Sequence, residues 1–252
     1  MPAKKTLPEA ARPKVRDRRT ESSPSAAAQQ AVAWLERTGT AETRQGMARY
    51  GIPSENAFGV PVGELRRYAK RLGKDHELAA ALWATGHYEA RMLAAFVDEP
   101  AAVTPSQMDA WCRDFDSWSI VDTLCFALFD RTPHAWEKVD AWASWRGEQQ
   151  RRAAFALLAC LALHDKSAPD DAFRARLPLI ERGAGDDRNF VKKGVSWALR
   201  AIGERNRSLH ASANELAEML AAREEASARW VAADALKKLE SPAVRARLAR
   251  RG

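Results

Sequence analysis

From about residue 75 onward, the apolar residues of this chain recur at helical intervals, and the runs are interrupted at Gly, Pro or Asp. No stretch alternates apolar and polar positions as a half-buried strand would. The pattern therefore predicts helix after helix. Upstream, a helix is expected from Ser25 through "AAAQQAVAWLERTG", then a Gly/Pro-rich loop over 51–63 and a further helix from Val62. Residues 1–24, "MPAKKTLPEAARPKVRDRRTESSP", carry no apolar period and are rich in Pro, Lys, Arg and Ser. They are expected to form a disordered basic tail ahead of a single helical domain over 25–250.

Several of the helical segments resemble one another: "HYEARMLAAFVDE", "EQQRRAAFALLACLALHD", "RNFVKKGVSWALRAIGERN" and "ASARWVAADALKKLES". Each has a polar or basic start, a patch of small residues and then aliphatic residues. Their spacing is irregular but falls in the range of two-helix repeats, which predicts a curved α-solenoid of HEAT-like units with a concave surface. An irregular helical bundle is the alternative.

Three helices carry unusual residues away from their apolar stripe. In "SWSIVDTL" (117–124), Val121, Leu124, Cys125 and Leu128 share the core arc, while Trp118 and Asp122 share a neighbouring face. That face is either a helix–helix seam with a solvated Asp or part of a site. In the helix from Phe190, Val191, Val195, Ala198, Leu199 and Ile202 point one way, and Lys193, Trp197 and Arg200 the other. A tryptophan between cations suits a nucleic acid, which offers phosphates and apolar sugar or base together. It equally suits packing with snorkelling side chains. In the helix from Arg151, Ala154, Leu157, Leu158 and Leu161 form the core arc. Arg152 lies opposite, beside Ala156 and Ala159, whose small size would let a ligand approach. It reads as a solvated arginine or a phosphate contact.

Charge and composition narrow the chemistry. The net charge is +7, of which +4 falls in residues 1–24. The basic balance suggests an anionic partner, provided the folded part also clusters its cations. Cys112, Cys125 and Cys160 lack CxxC spacing and read as buried thiols of a reducing compartment. No apolar run is long enough to span a membrane, and no apolar segment follows the basic N-terminus as a signal peptide would require. The five histidines are scattered, so neither metal nor cofactor is expected. Phosphate-binding glycine loops and serine-nucleophile motifs are also missing.

"LWATGHYEARMLAA" (82–95), "SWSIVD" (117–122), "QRRAAFALL" (150–158) and "FVKKGVSWALRAIGERN" (190–206) together resemble the AlkD-like bacterial DNA alkylation-repair glycosylases over roughly residues 30–240. The resemblance implies a HEAT-like solenoid with a basic, DNA-binding concave face. It also implies hydrolysis of the N-glycosidic bond of cationic alkylated purines, of the N3-methyladenine and N7-methylguanine type, in double-stranded DNA, without a base-flipping pocket. By this resemblance Trp118 and Asp122 match the catalytic pair, Trp197 a second aromatic wall, and Arg152 a backbone contact; on the glycosylase reading, Lys193, Arg200 and Phe190 are expected to contact DNA as well. A cytoplasmic, nucleoid-associated monomer is expected. The sequence departs from the family at Ser117 and Asn189, where a further aromatic is common. A non-catalytic HEAT-repeat module binding DNA structure or a protein is the alternative, but a carboxylate facing phosphates would only weaken such a binder.

Overall fold

The computed structural model describes residues 24–250, which contain fifteen α-helices, two single-turn 3-10 helices and no strand. The helices are α1 (Pro24–Thr38), α2 (Ala41–Met47), α3 (Val62–Leu72), α4 (His76–Ala84), α5 (Tyr88–Val97), α6 (Pro105–Arg113), α7 (Trp118–Ala127) and α8 (Ala135–Trp142). They continue with α9 (Glu148–His164), α10 (Asp170–Arg174), α11 (Leu177–Gly183), α12 (Asn189–Gly203), α13 (Arg207–Ala221), α14 (Ala226–Leu239) and α15 (Pro242–Ala249). The first helix starts one residue ahead of the expected Ser25. The remainder of the expected tail lies outside the described residues.

The sequence punctuates these helices with capping chemistry. The side chains of Thr40, Asp75, Thr104, Ser117, Asn206 and Ser241 each accept from a backbone N–H of the first turn they precede. Ser117, a departure from the family pattern, therefore serves as the buried N-cap of α7.

The chain is an α-solenoid. α5, α7, α9, α12 and α14 stack side by side, each against the next, and α3 extends this layer beyond α5. α4, α8, α11 and α13 pack against α5, α9, α12 and α14 as an outer layer. The four mutually similar sequence segments are α5, α9, α12 and α14, so the similarity records one structural role repeated along the stack.

α9 sits at the centre of the stack, and every residue from Arg152 to Ala162 is buried. This overturns one expectation: Ala156 and Ala159 face no ligand. They are fully buried in a helix that packs against α7, α8 and α12. On α12, Gly194 sits against Arg152 and Phe155, where an added Cβ would lie 3.4 Å from the Arg152 Cγ. Small residues on both helices therefore let the two axes approach closely. The three cysteines are free and buried, and burial pushes all three thiols upward in pKa, so none is poised to react.

The loop over 51–61 is anchored rather than loose. Glu89, at the start of α5 and 1% exposed, accepts from the backbone N–H groups of Phe58 (2.9 Å), Gly59 (2.7 Å) and Val60 (3.1 Å). Gly59 has φ +86°, and a Cβ there would fall 2.2 Å from the Thr40 carbonyl oxygen. Glu89→Ala strands three backbone donors, so a stability loss of about 2–3 kcal/mol is expected. A thermal melt within 1 °C of wild type would show that the loop does not depend on this carboxylate.

Candidate functional site

Trp118 is the first residue of α7 and Asp122 lies one turn further on. Ile120, Val121, Leu124 and Cys125 are fully buried, and this fixes the rotation of the helix so that Trp118, Asp122 and Thr123 are only half-buried. The Trp118 indole N–H donates to the carbonyl of Tyr50 at 2.9 Å. Tyr50 closes a 3-10 turn (Ala48–Tyr50), and its ring is 69% exposed. The following Gly51 takes φ +64° and lies against the Phe190 ring. The 3-10 turn ahead of the anchored loop therefore places an exposed aromatic beside Trp118.

Asp122 is gripped by Arg152. The guanidinium donates Nε–H to Oδ1 at 3.0 Å and Nη2–H to Oδ2 at 2.7 Å, and its Nη1–H donates to the Phe190 carbonyl at 2.9 Å. Arg152 is 6% exposed, so the sequence expectation of an outward-facing arginine is corrected: its donors are engaged within the protein. It also lies over the Trp118 ring, 6.0 Å from the centroid. The first turns of α9 and α12 are joined from the other side too, where Glu148 accepts from the Phe190 N–H at 2.9 Å.

Burial pushes the Asp122 carboxyl above the ordinary aspartate value, and the Arg152 charge and hydrogen bonds oppose that rise. A reaction that needs the ionised form runs above the folded pKa and fails below it. The acid limb of any Asp122-dependent rate is therefore expected above the usual aspartate value of about 3.9. A pH–rate profile checks this, since an acid limb at or below the ordinary value would mean that the Arg152 pairing outweighs burial.

Across α12, Lys193 is exposed and Trp197 and Arg200 are half-buried, on the face opposite the buried Val191, Val195, Ala198, Leu199 and Ile202. A cavity of about 480 Å³ brings Asp122, Arg152, Lys193, Trp197 and Arg200 together, with Trp230 of α14 on its far wall. A neighbouring cavity of about 500 Å³ is lined by Trp118, Tyr50, Phe190, Arg152, Lys193 and Arg49. Trp118 and Trp197 thus line adjoining hollows that share Arg152 and Lys193, while Asp122 borders only the Trp197 side. Arg200 is engaged as well: its Nε–H points to the Ser196 carbonyl and lies 3.5 Å from Asp234.

Sequence reasoning overlooked Tyr50, Arg49, Trp230 and Lys192, whose ammonium lies 5.3 Å from the Trp230 ring centroid. Trp230 had a usable signal. "SARWVAADAL" aligns with "GVSWALRAIG" in the repeat pattern, which puts Trp230 one repeat after Trp197. Tyr50 had none, because a single 3-10 turn is too short to show a period. Among the described residues, no group of three or more His, Cys, Asp or Glu side chains is placed to hold a metal ion, and no helix is long and apolar enough to cross a membrane.

A stacked helical-repeat scaffold that turns tryptophans, cations and the carboxylates Asp122 and Asp234 onto its inner layer defines a HEAT-like repeat protein. The chain belongs to the DNA alkylation repair enzyme family, whose profile matches residues 31–239. No curated protein matches it significantly. Among solved structures, it is similar to a member of "a new family of proteins related to the HEAT-like repeat DNA glycosylases with affinity for branched DNA structures". That similarity has a TM-score of 0.71 at 21% identity and covers 87% of this chain and 95% of the other. It establishes the common fold. An engineered protein (TM-score 0.39, 15% identity, 88% of this chain and 95% of the other) and a designed armadillo repeat protein (0.32, 15%, 88% and 80%) are too distant to carry an argument.

Proposed function

We propose that the protein is a DNA-alkylpurine N-glycosylase acting on duplex DNA, with Asp122 as the catalytic carboxylate and Trp118 and Trp197 as aromatic walls. The observation that carries this reading is the position of Asp122. Its carboxylate is fixed by a buried guanidinium behind it, and it borders the same cavity as Trp197, Lys193 and Arg200. A carboxylate on a cation-rich surface weakens the binding of phosphates. Its presence there makes sense where positive charge develops on the bound molecule.

Hydrolysis of a cationic alkylated purine meets that condition. The base already carries the positive charge, so the C1′–N bond breaks without general-acid help and the base leaves neutral. The charge passes to the deoxyribose, as in other glycoside cleavages through oxocarbenium-like states. Asp122 faces that charge, and the tryptophan faces add their negative quadrupoles. Water supplies the oxygen that bonds to C1′, and its proton passes to the carboxylate or to solvent. Lys193, Phe190 and Arg49 border the neighbouring hollow and are assigned to the DNA backbone. Arg152 and Arg200 are assigned to the same surface, but each must trade a protein partner for a phosphate.

The second reading is a non-catalytic module that binds DNA structure. The closed Asp122–Arg152 pair favours it, because a neutralised pair also serves as a purely structural clamp. Release of methylated purines from alkylated duplex DNA, compared between wild type and Asp122→Asn, separates the two readings. Activity in the wild type that is lost in the variant supports the enzyme, and inactivity of both supports the binder.

A further inference from the structure

We propose that the cavity between α3, α5 and α7 binds an unpaired nucleotide of a DNA strand that departs from the duplex beside Asp122. The cavity has a volume of about 410 Å³, within the range of small-ligand sites. Its polar rim is Arg66, Lys70, Lys74 and Arg131, and its apolar floor includes Phe96 and Phe126. Among the described residues none of these four cations makes a direct ion pair with a carboxylate, although Arg131 lies within electrostatic reach of the buried Asp130. Arg66 lies over the Phe96 ring at 5.5 Å, Lys74 donates to the Asp98 carbonyl, and Arg131 donates to the Ala127 carbonyl. Many other cations of the inner and outer layers do have acid partners, among them Arg91, Arg151, Arg176 and Arg188. Four cations thus line one cavity, and Arg66, Lys70 and Lys74 are without a carboxylate partner among the described residues.

The aromatic floor makes the ligand more than a simple anion. Phe126 is 37% exposed, and its ring meets the His164 ring edge to face with centroids 4.4 Å apart. A braced, half-open phenyl ring among cations is a stacking platform for a base whose phosphates meet the surrounding charges. A plain phosphate or sulfate would leave the ring unused.

The location indicates which nucleotide. A smaller hollow of about 250 Å³ shares Arg66, Phe96 and Phe126 with this cavity and reaches Asp122 and Trp197. The two spaces adjoin along the inner layer, with Arg66, Phe96 and Phe126 lining both. A strand separated from its partner near the carboxylate therefore enters the cavity without leaving the protein surface. This inference rests on the DNA reading of the groove but not on catalysis.

Fluorescence anisotropy with blunt duplexes, duplexes bearing a single-stranded 5′ or 3′ extension, and free dAMP tests it. One stacked base predicts that the wild type binds one of the extended duplexes at least about tenfold more tightly than the blunt duplex. Phe126→Ala and Lys70→Glu should each bring that ratio close to one. Lys70 is exposed, so the charge reversal leaves folding and base release from blunt duplexes unchanged. A wild-type ratio near one, or a ratio unaltered in both variants, overturns the proposal. Saturable, Lys70-dependent binding of dAMP without preference for extended duplexes also overturns it, and gives the cavity to free nucleotides instead. Loss of base release with the strand preference intact would remove the catalytic reading alone.

Discussion

Asp122→Asn is expected to slow release of alkylated purines from duplex DNA by about 10²–10³-fold, with duplex affinity retained or slightly increased. The asparagine keeps the shape and one bond from Arg152 but loses the other and the counter-charge of the buried guanidinium, so some stability is lost along with the charge. The magnitude follows from removing a preorganised group aimed at developing charge, which is worth about 3–4 kcal/mol in a partly dehydrated site. Affinity moves the other way because one negative charge leaves a surface assigned to phosphates. Single-turnover release and anisotropy on the same preparation measure both effects. If rate and affinity fall together, Asp122 holds the surface in shape and does no chemistry.

Arg152→Ala is expected to destabilise the fold by about 3–5 kcal/mol and to abolish base release. The guanidinium is buried and engages both oxygens of Asp122 and the carbonyl of Phe190, so three inter-helix hydrogen bonds are lost at once. Truncation leaves the Asp122 carboxylate without a counter-charge and the first turn of α12 without its tie to α9. Replacing both partners with apolar residues, as in Asp122→Leu with Arg152→Met, should recover most of the stability and none of the activity, because the cost of an unpaired buried charge disappears. Chemical denaturation of the two single variants and the double variant checks this. Additive losses in the double variant would mean that the pair does not act as a unit.

The contrast between these two residues shows how far the sequence could be read. The helical period predicted the core faces of α7 and α12 correctly, because a buried stripe must repeat with the turn of the helix. Val121, Leu124, Val195 and Leu199 are all fully buried as a result. It also carried the stacked repeats, since α5, α9, α12 and α14 share one pattern for one structural role. The wheel misjudged α9. It assumed a solvent face, whereas a helix in the middle of a solenoid is enclosed on all sides, so Arg152 points at α7 and not outward. A partner across 30 residues of sequence is invisible to a pattern whose reach is one helix. The same limit hid Tyr50, whose carbonyl is met by the Trp118 indole from far along the chain. Ser117 reads in the sequence only as a departure from the family, although it is the residue type that a helix start favours.

The central claim is that this groove breaks the glycosidic bond of a cationic alkylated purine. The most direct measurement is a time course of free methylated bases released from methylated duplex DNA by the wild-type protein, with spontaneous depurination subtracted. The account predicts protein-dependent release of bases of the N3-methyladenine or N7-methylguanine type, leaving abasic sites in the strand. Release no faster than the spontaneous rate, by a folded protein that binds the same duplex, would contradict it and leave the groove as a binding surface alone.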